Sequence, residues 1–132
     1  MKVFITAALA IDLDSERWHC TRCDGALGNA RENYKKGLLV ADRDPSEVHA
    51  PILDAARYEH TFAPDPNWCR IVEYCCPHCG LLAEVEYLPP GHPLTHDLEL
   101  DIDALKAQWA ERDAPTAPVL GPDFVAPPVH QH

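Results

Sequence analysis

Residues 74–80 read Tyr74-Cys75-Cys76-Pro77-His78-Cys79-Gly80, and the fold turns on which of these three cysteines act together. A second pair lies upstream, Cys20-Thr21-Arg22-Cys23, followed by Asp24 and Gly25. Both are C-x-x-C turns with a glycine one or two positions after the second cysteine. A tight turn over two residues aims both thiolates at one ion, and a small residue after it lets backbone N–H groups face the sulfurs. Two such turns place four thiolates at tetrahedral corners, the closed coordination of structural zinc. Cys20, Cys23, Cys76 and Cys79 are therefore the candidate metal ligands. Fifty-two residues separate Cys23 from Cys76, so the ion would staple distant parts of a small core.

The remaining cysteines are spare. A strand alternates its faces, so Cys75 is expected to point away from Cys76. Cys69 and Cys75 are expected to be buried and inert, and His78, inside the turn, to point outward. The four-thiolate set also suits a single iron, as in rubredoxin, which leaves an Fe(Cys)4 electron-transfer protein as the alternative reading. A redox C-x-x-C of the thioredoxin kind has no βαβ unit around it here.

Outward from the second pair, residues 70–74 (RIVEY) and 81–88 (LLAEVEYL) read as the two strands of a hairpin, the latter alternating Glu84 and Glu86 with Val85 and Tyr87. Residues 2–11 read as one buried strand, since Val3, Phe4, Ile5 and Thr6 favour extended backbone. A short strand is expected at residues 38–40, closed by Asp44-Pro45, and one or two helical turns at 51–58 behind Pro51. The prolines of TFAPDPNW (61–68) and PPGHPLTH (89–96) mark loops. LELDID (98–103) alternates as a solvated strand face would, and Ile102, Leu105 and Trp109 recur at helical spacing over 101–112. The fold class is thus mostly β with little helix (α+β), a small zinc-ribbon-like domain over residues 1–112. Five of the chain's 13 prolines fall in its last eighteen residues, so 113–132 reads as an extended, partner-wrapping tail.

Composition excludes several functions. The 132 residues suffice for one domain with a modest core. A formal charge of −10 opposes the phosphate neutralisation on which nucleic-acid binding depends, and equally opposes anionic membranes. The opening ten residues are shorter than a secretory signal, and no stretch approaches the ~20 apolar residues of a membrane span. A cytoplasmic location is expected, where cysteines hold metal rather than form disulfides. There is no GxxxxGK[ST] phosphate loop, no GxSxG and no HExxH. The pairs His92/His96 and Glu59-His60 are weak candidates, the first in a proline loop and the second isolated. No residue is singled out as catalytic.

Three stretches together carry more specific information: WHCTRCDGALG (18–28), RENYKKGLLVADRDPSEV (31–48) and the run from Ala56 to Leu105 that contains YCCPHCG and EVEYLPPGHP. Over roughly residues 17 to 106 the chain resembles the small zinc-binding subunit of acetone and acetophenone carboxylases. The resemblance implies a non-catalytic subunit of an ATP-dependent, biotin-independent carboxylase that joins bicarbonate to the carbon beside a ketone carbonyl. It implies a structural zinc on Cys20, Cys23, Cys76 and Cys79. It further implies hydantoinase-like large partner subunits that carry ATP, a divalent cation and the ketone. The short length and proline tail favour the acetophenone branch.

Overall fold

The computed structural model describes residues 1–50, 56–57 and 63–112. Two antiparallel sheets form its frame. The first runs β1 (Lys2–Phe4), β2 (Leu9–Asp12), β3 (Arg17–Cys20) and β4 (Ala26–Asn29), in that order across the sheet. The second runs β5 (Leu39–Arg43), β6 (Arg70–Cys75) and β7 (Leu82–Leu88). A 3-10 turn at Tyr34–Gly37 joins the sheets, α1 (Pro45–Val48) follows β5, and α2 (Ile102–Ala110) follows the last loop. The fold is mostly β, as the sequence implies, and both sheets are simple meanders of neighbouring strands.

The expected single strand over 2–11 is in fact two. Thr6 breaks it: its hydroxyl oxygen accepts from the N–H groups of Ala8 (3.2 Å) and Leu9 (3.0 Å), folding β1 back on β2 with Val3 opposite Ile11. A threonine that favours strands by its β-branch here serves as a turn residue. The segment around the first cysteine pair, for which the sequence suggests no strands, is a hairpin of β3 and β4. The strand expected at 38–40 sits slightly later, and Pro45 opens α1 at the first helical position, capped by Asp44, which accepts from Ser46 N–H at 2.9 Å.

The expected strand face at residues 98–103 is not part of a ladder. Leu98 and Leu100 still pack on the core while Glu99 stays exposed, so the alternation is real without pairing. Asp101 then caps α2, accepting from Ala104 N–H at 2.9 Å, and Ile102, Leu105 and Trp109 lie against the core at the anticipated spacing. The segment read as helical turns at 51–58 lies almost wholly outside the described residues, as do Glu59-His60 and the tail 113–132.

One core serves both sheets. Leu9, Ile11, Trp18 and Leu27 meet Val72, Tyr74 and Leu88 across it, with Tyr34 between, its ring 5.7 Å from that of Trp18. The joining turn passes close to β4: a Cβ on Gly37 would fall 1.4 Å from Leu27 O, so only glycine fits there.

Lys35 carries its charge into this core. Lys35 is 2% exposed, and its Nζ donates to Thr95 O (2.8 Å) and Thr95 Oγ1 (2.9 Å) and pairs with Glu86 (3.1 Å) and Asp97 (3.0 Å). The rings of Tyr74 and Tyr34 flank it at 5.1 and 5.5 Å. Glu86 also accepts from Tyr74 Oη at 2.6 Å and from the Thr95 hydroxyl. This explains an inversion in β7. Glu86 stands opposite Val72 on the core side, while Val85 and Tyr87 face outward. The network ties the joining turn, β7 and the 95–97 loop together with no polar atom left orphaned among the described residues.

Candidate metal centre

Each C-x-x-C pair sits at the tip of a hairpin, one in each sheet, and the two tips are built alike. Cys20 N–H donates to Gly25 O at 3.0 Å and Asp24 N–H to Cys20 O at 2.9 Å. In the second tip Cys76 N–H donates to Leu81 O at 2.8 Å and Gly80 N–H to Cys76 O at 2.9 Å. The residue after the second cysteine is left-handed in both, Asp24 at φ 61° and Gly80 at φ 77°. Glycine takes this conformation freely and aspartate tolerates it. Asp24 is further held by Lys2, and its carbonyl accepts from His19 Nδ1–H at 2.9 Å.

The tips meet with their sulfurs inward. Cys20, Cys23, Cys76 and Cys79 bring their Sγ atoms within 4.8 Å of one another, and the pairs Cys20–Cys79 and Cys23–Cys76 are each 3.7 Å apart. A disulfide needs about 2.05 Å. A tetrahedron of sulfurs about 2.3 Å from a central ion has edges of roughly 3.8 Å. The spacing therefore fits a metal ion and not a covalent bridge, and the four cysteines are positioned to bind one. Backbone donors already face the sulfurs: Gly25 N–H points at Cys23 Sγ and His78 N–H at Cys76 Sγ, both at 3.4 Å.

The electrostatics favour a cation. The Gly25 N–H supports the Cys23 thiolate, but burial and hydrogen bonding with the other three thiols push it up to about 12. For Cys76 burial opposes ionisation, and the N–H groups of Cys79 and His78 with the thiols of Cys23 and Cys79 outweigh it, bringing it down to about 7. A divalent ion among the sulfurs favours their thiolate forms, so metal binding and deprotonation support each other.

The other sequence candidates fall elsewhere. Cys75 ends β6, opposite Leu39 and Leu82, and is half-buried outside the cluster, as is Cys69, rather than both being fully buried. His78 is exposed and not among the four, yet its ring reaches across to the first tip, which the sequence did not suggest. His92 Nδ1–H donates to the carbonyl of Pro93 at 2.7 Å. Among the described residues no other group of three or more ligating side chains comes together.

The chain is similar to known carboxylase subunits. The family model described as the acetone carboxylase gamma subunit matches residues 3–110. The chain is 51% identical over 107 residues to the acetophenone carboxylase beta subunit of Aromatoleum aromaticum, covering 81% of each chain. It is 33% identical over 97 residues to the acetone carboxylase gamma subunit of Xanthobacter autotrophicus, covering 72% of this chain and 54% of that one. A match over nearly the whole described core, carrying both hairpin tips, places the chain in the acetone carboxylase gamma subunit family.

Proposed function

We propose that this chain is the non-catalytic, zinc-holding small subunit of a ketone carboxylase, a ligase that forms a C–C bond from bicarbonate with ATP and without biotin. Cys20, Cys23, Cys76 and Cys79 hold one Zn2+ as a closed structural site. When bound, the ion supplies a cross-link between the two sheets rather than an open coordination position. The similarity to an acetophenone carboxylase beta subunit at 51% identity carries this reading, and favours acetophenone over acetone as the ketone, giving benzoylacetate. The large partner subunits are hydantoinase-like and hold ATP, a divalent cation and the ketone.

Surface character supports a role within an assembly. Phe4, Trp68 and Tyr87 are exposed on a chain whose net charge of −10 would otherwise keep it apart from copies of itself. Residues 1–112 form the zinc-stapled unit and 113–132 the segment that lies along a partner, in the cytoplasm.

Native purification with mass spectrometry, elemental analysis and a carboxylation assay tests this. One zinc per chain, large hydantoinase-like partners and ATP-dependent consumption of acetophenone are expected. A lone small protein carrying redox-active iron overturns the reading in favour of an Fe(Cys)4 electron carrier.

A further inference from the structure

The two tips belong to different sheets, and among the described residues no strand ladder joins them. His78 crosses the gap. It lies between the ligands Cys76 and Cys79, and its Nε2–H donates to Ala26 O, at the start of β4, at 3.0 Å. The ring rests on Gly25. A Cβ at that position would come within 2.4 Å of His78 Cδ2, 3.0 Å of its Cγ and 3.2 Å of Cys23 Sγ. Gly25 is not among the left-handed glycines, so space for the ring and the sulfur, not backbone freedom, accounts for the missing side chain. Meanwhile the His78 backbone N–H faces Cys76 Sγ. One residue thus contacts both halves of the site.

We propose that His78 is a latch over the metal centre, a positioning residue that holds the first tip closed against the second and slows release of the ion. The ligands are unequal in access. Cys20, at the end of β3, and Cys76, just past β6, are buried, whereas Cys23 is exposed. A competing chelator therefore meets Cys23 first, and the latch acts where the site must open. Outer contacts of this kind alter metal affinity by about 10–100-fold. The inference rests on the four cysteines as ligands and not on the carboxylase reading.

The test uses the full chain loaded with Co2+, whose thiolate-to-metal absorption reports four-sulfur coordination, with EDTA as competitor. His78→Ala should keep the starting spectrum and release cobalt about 10–100-fold faster. His78→Gln, which retains an N–H donor, should recover most of the slow release. Gly25→Ala should accelerate release in the native background and add less in the His78→Ala background, where only its contact with Cys23 Sγ remains, as coupled positions do. Should His78→Ala fail to fold, His78→Gln against Gly25→Ala carries the same comparison. Equal release rates for native protein and His78→Ala overturn the latch, as do equally fast His78→Ala and His78→Gln. A native chain without thiolate–cobalt bands overturns the ligand assignment and the latch with it.

Discussion

Cys20 and Cys79 stand 59 positions apart in the chain and face each other with sulfurs 3.7 Å apart. The complementary pair, Cys23 and Cys76, repeats the distance. Each short contact runs between tips, so the inner cysteine of one hairpin meets the outer cysteine of the other. An ion at the centre closes a long loop, which is where a cross-link stabilises most. Lys35 provides a second, metal-independent tie between the joining turn and β7.

Replacing Cys76 by Ser should reduce metal content from one equivalent to near zero and lower the melting temperature, because metal binding is coupled to folding. Cys75→Ser, which alters a half-buried thiol outside the cluster, should do neither. Elemental analysis beside thermal unfolding reads both. Full metal content in the Cys76 variant would mean that the ligands are assigned wrongly.

Lys35→Ala should destabilise the chain by about 3–5 kcal/mol, since it strands Glu86 and Asp97 without their buried cation. Lys35→Met, which fills the same space, should be no better unless Glu86→Gln accompanies it. Denaturant titration of the single and double variants measures the coupling.

Acid should weaken the native chain more steeply than Glu86→Gln. Burial pushes the Glu86 carboxyl up, but hydrogen bonds from Thr95, Tyr74 and Lys35 outweigh it and hold the group at about 2 instead of 4.5. A depressed carboxyl contributes stability that is complete above about 4.5 and is lost as pH falls toward 2, on the order of 3 kcal/mol in all. Metal loss in acid is common to both proteins, so the difference between their stability–pH curves isolates Glu86. Parallel curves over that window would remove the carboxylate from the network.

Two glycines should respond differently to alanine. At Gly37 the added Cβ meets backbone 1.4 Å away, so the joining turn must shift from β4 at a cost above about 3 kcal/mol. At Gly80 nothing lies within 4 Å, and only the left-handed backbone opposes the change, about 1–2 kcal/mol. Chemical denaturation ranks them, and the reverse order would contradict the packing of the turn on β4.

Trp68 should matter to assembly and not to the fold. The residue is 78% exposed at the end of a turn in which Asp65 accepts from Asn67 N–H at 2.9 Å and from Trp68 N–H at 3.0 Å. An exposed tryptophan is the residue type that anchors interfaces. Trp68→Ala should leave metal content and melting temperature unchanged while reducing co-purification of the partner subunits several-fold. Undiminished recovery of the partners would place the interface elsewhere.

Much of the site was legible in the chain. The two C-x-x-C turns named the four sulfurs that come together, and the spacing of Ile102, Leu105 and Trp109 named the face by which α2 packs. Residues 2–11 form two strands rather than the expected one because Thr6 has both β propensity and turn chemistry, and its hydroxyl bonds decide between them. The β3–β4 hairpin leaves no mark in the sequence because Arg17–Cys20 and Ala26–Asn29 are too short and too polar for an alternation signal.

By itself the sequence determined which residues can serve as soft ligands, where turns must fall, and how little core there is, since these depend on local chemistry and on period. Only the tertiary structure decided that Glu86 rather than Val85 faces inward, that Lys35 is buried, and that His78 lies on Gly25. Those outcomes depend on charges and shapes brought together from positions tens of residues apart. A buried carboxylate and a buried ammonium are each prohibitive alone and tolerable only as partners. Local pattern carries no record of the partner, so pairing across the two sheets had to be seen in three dimensions.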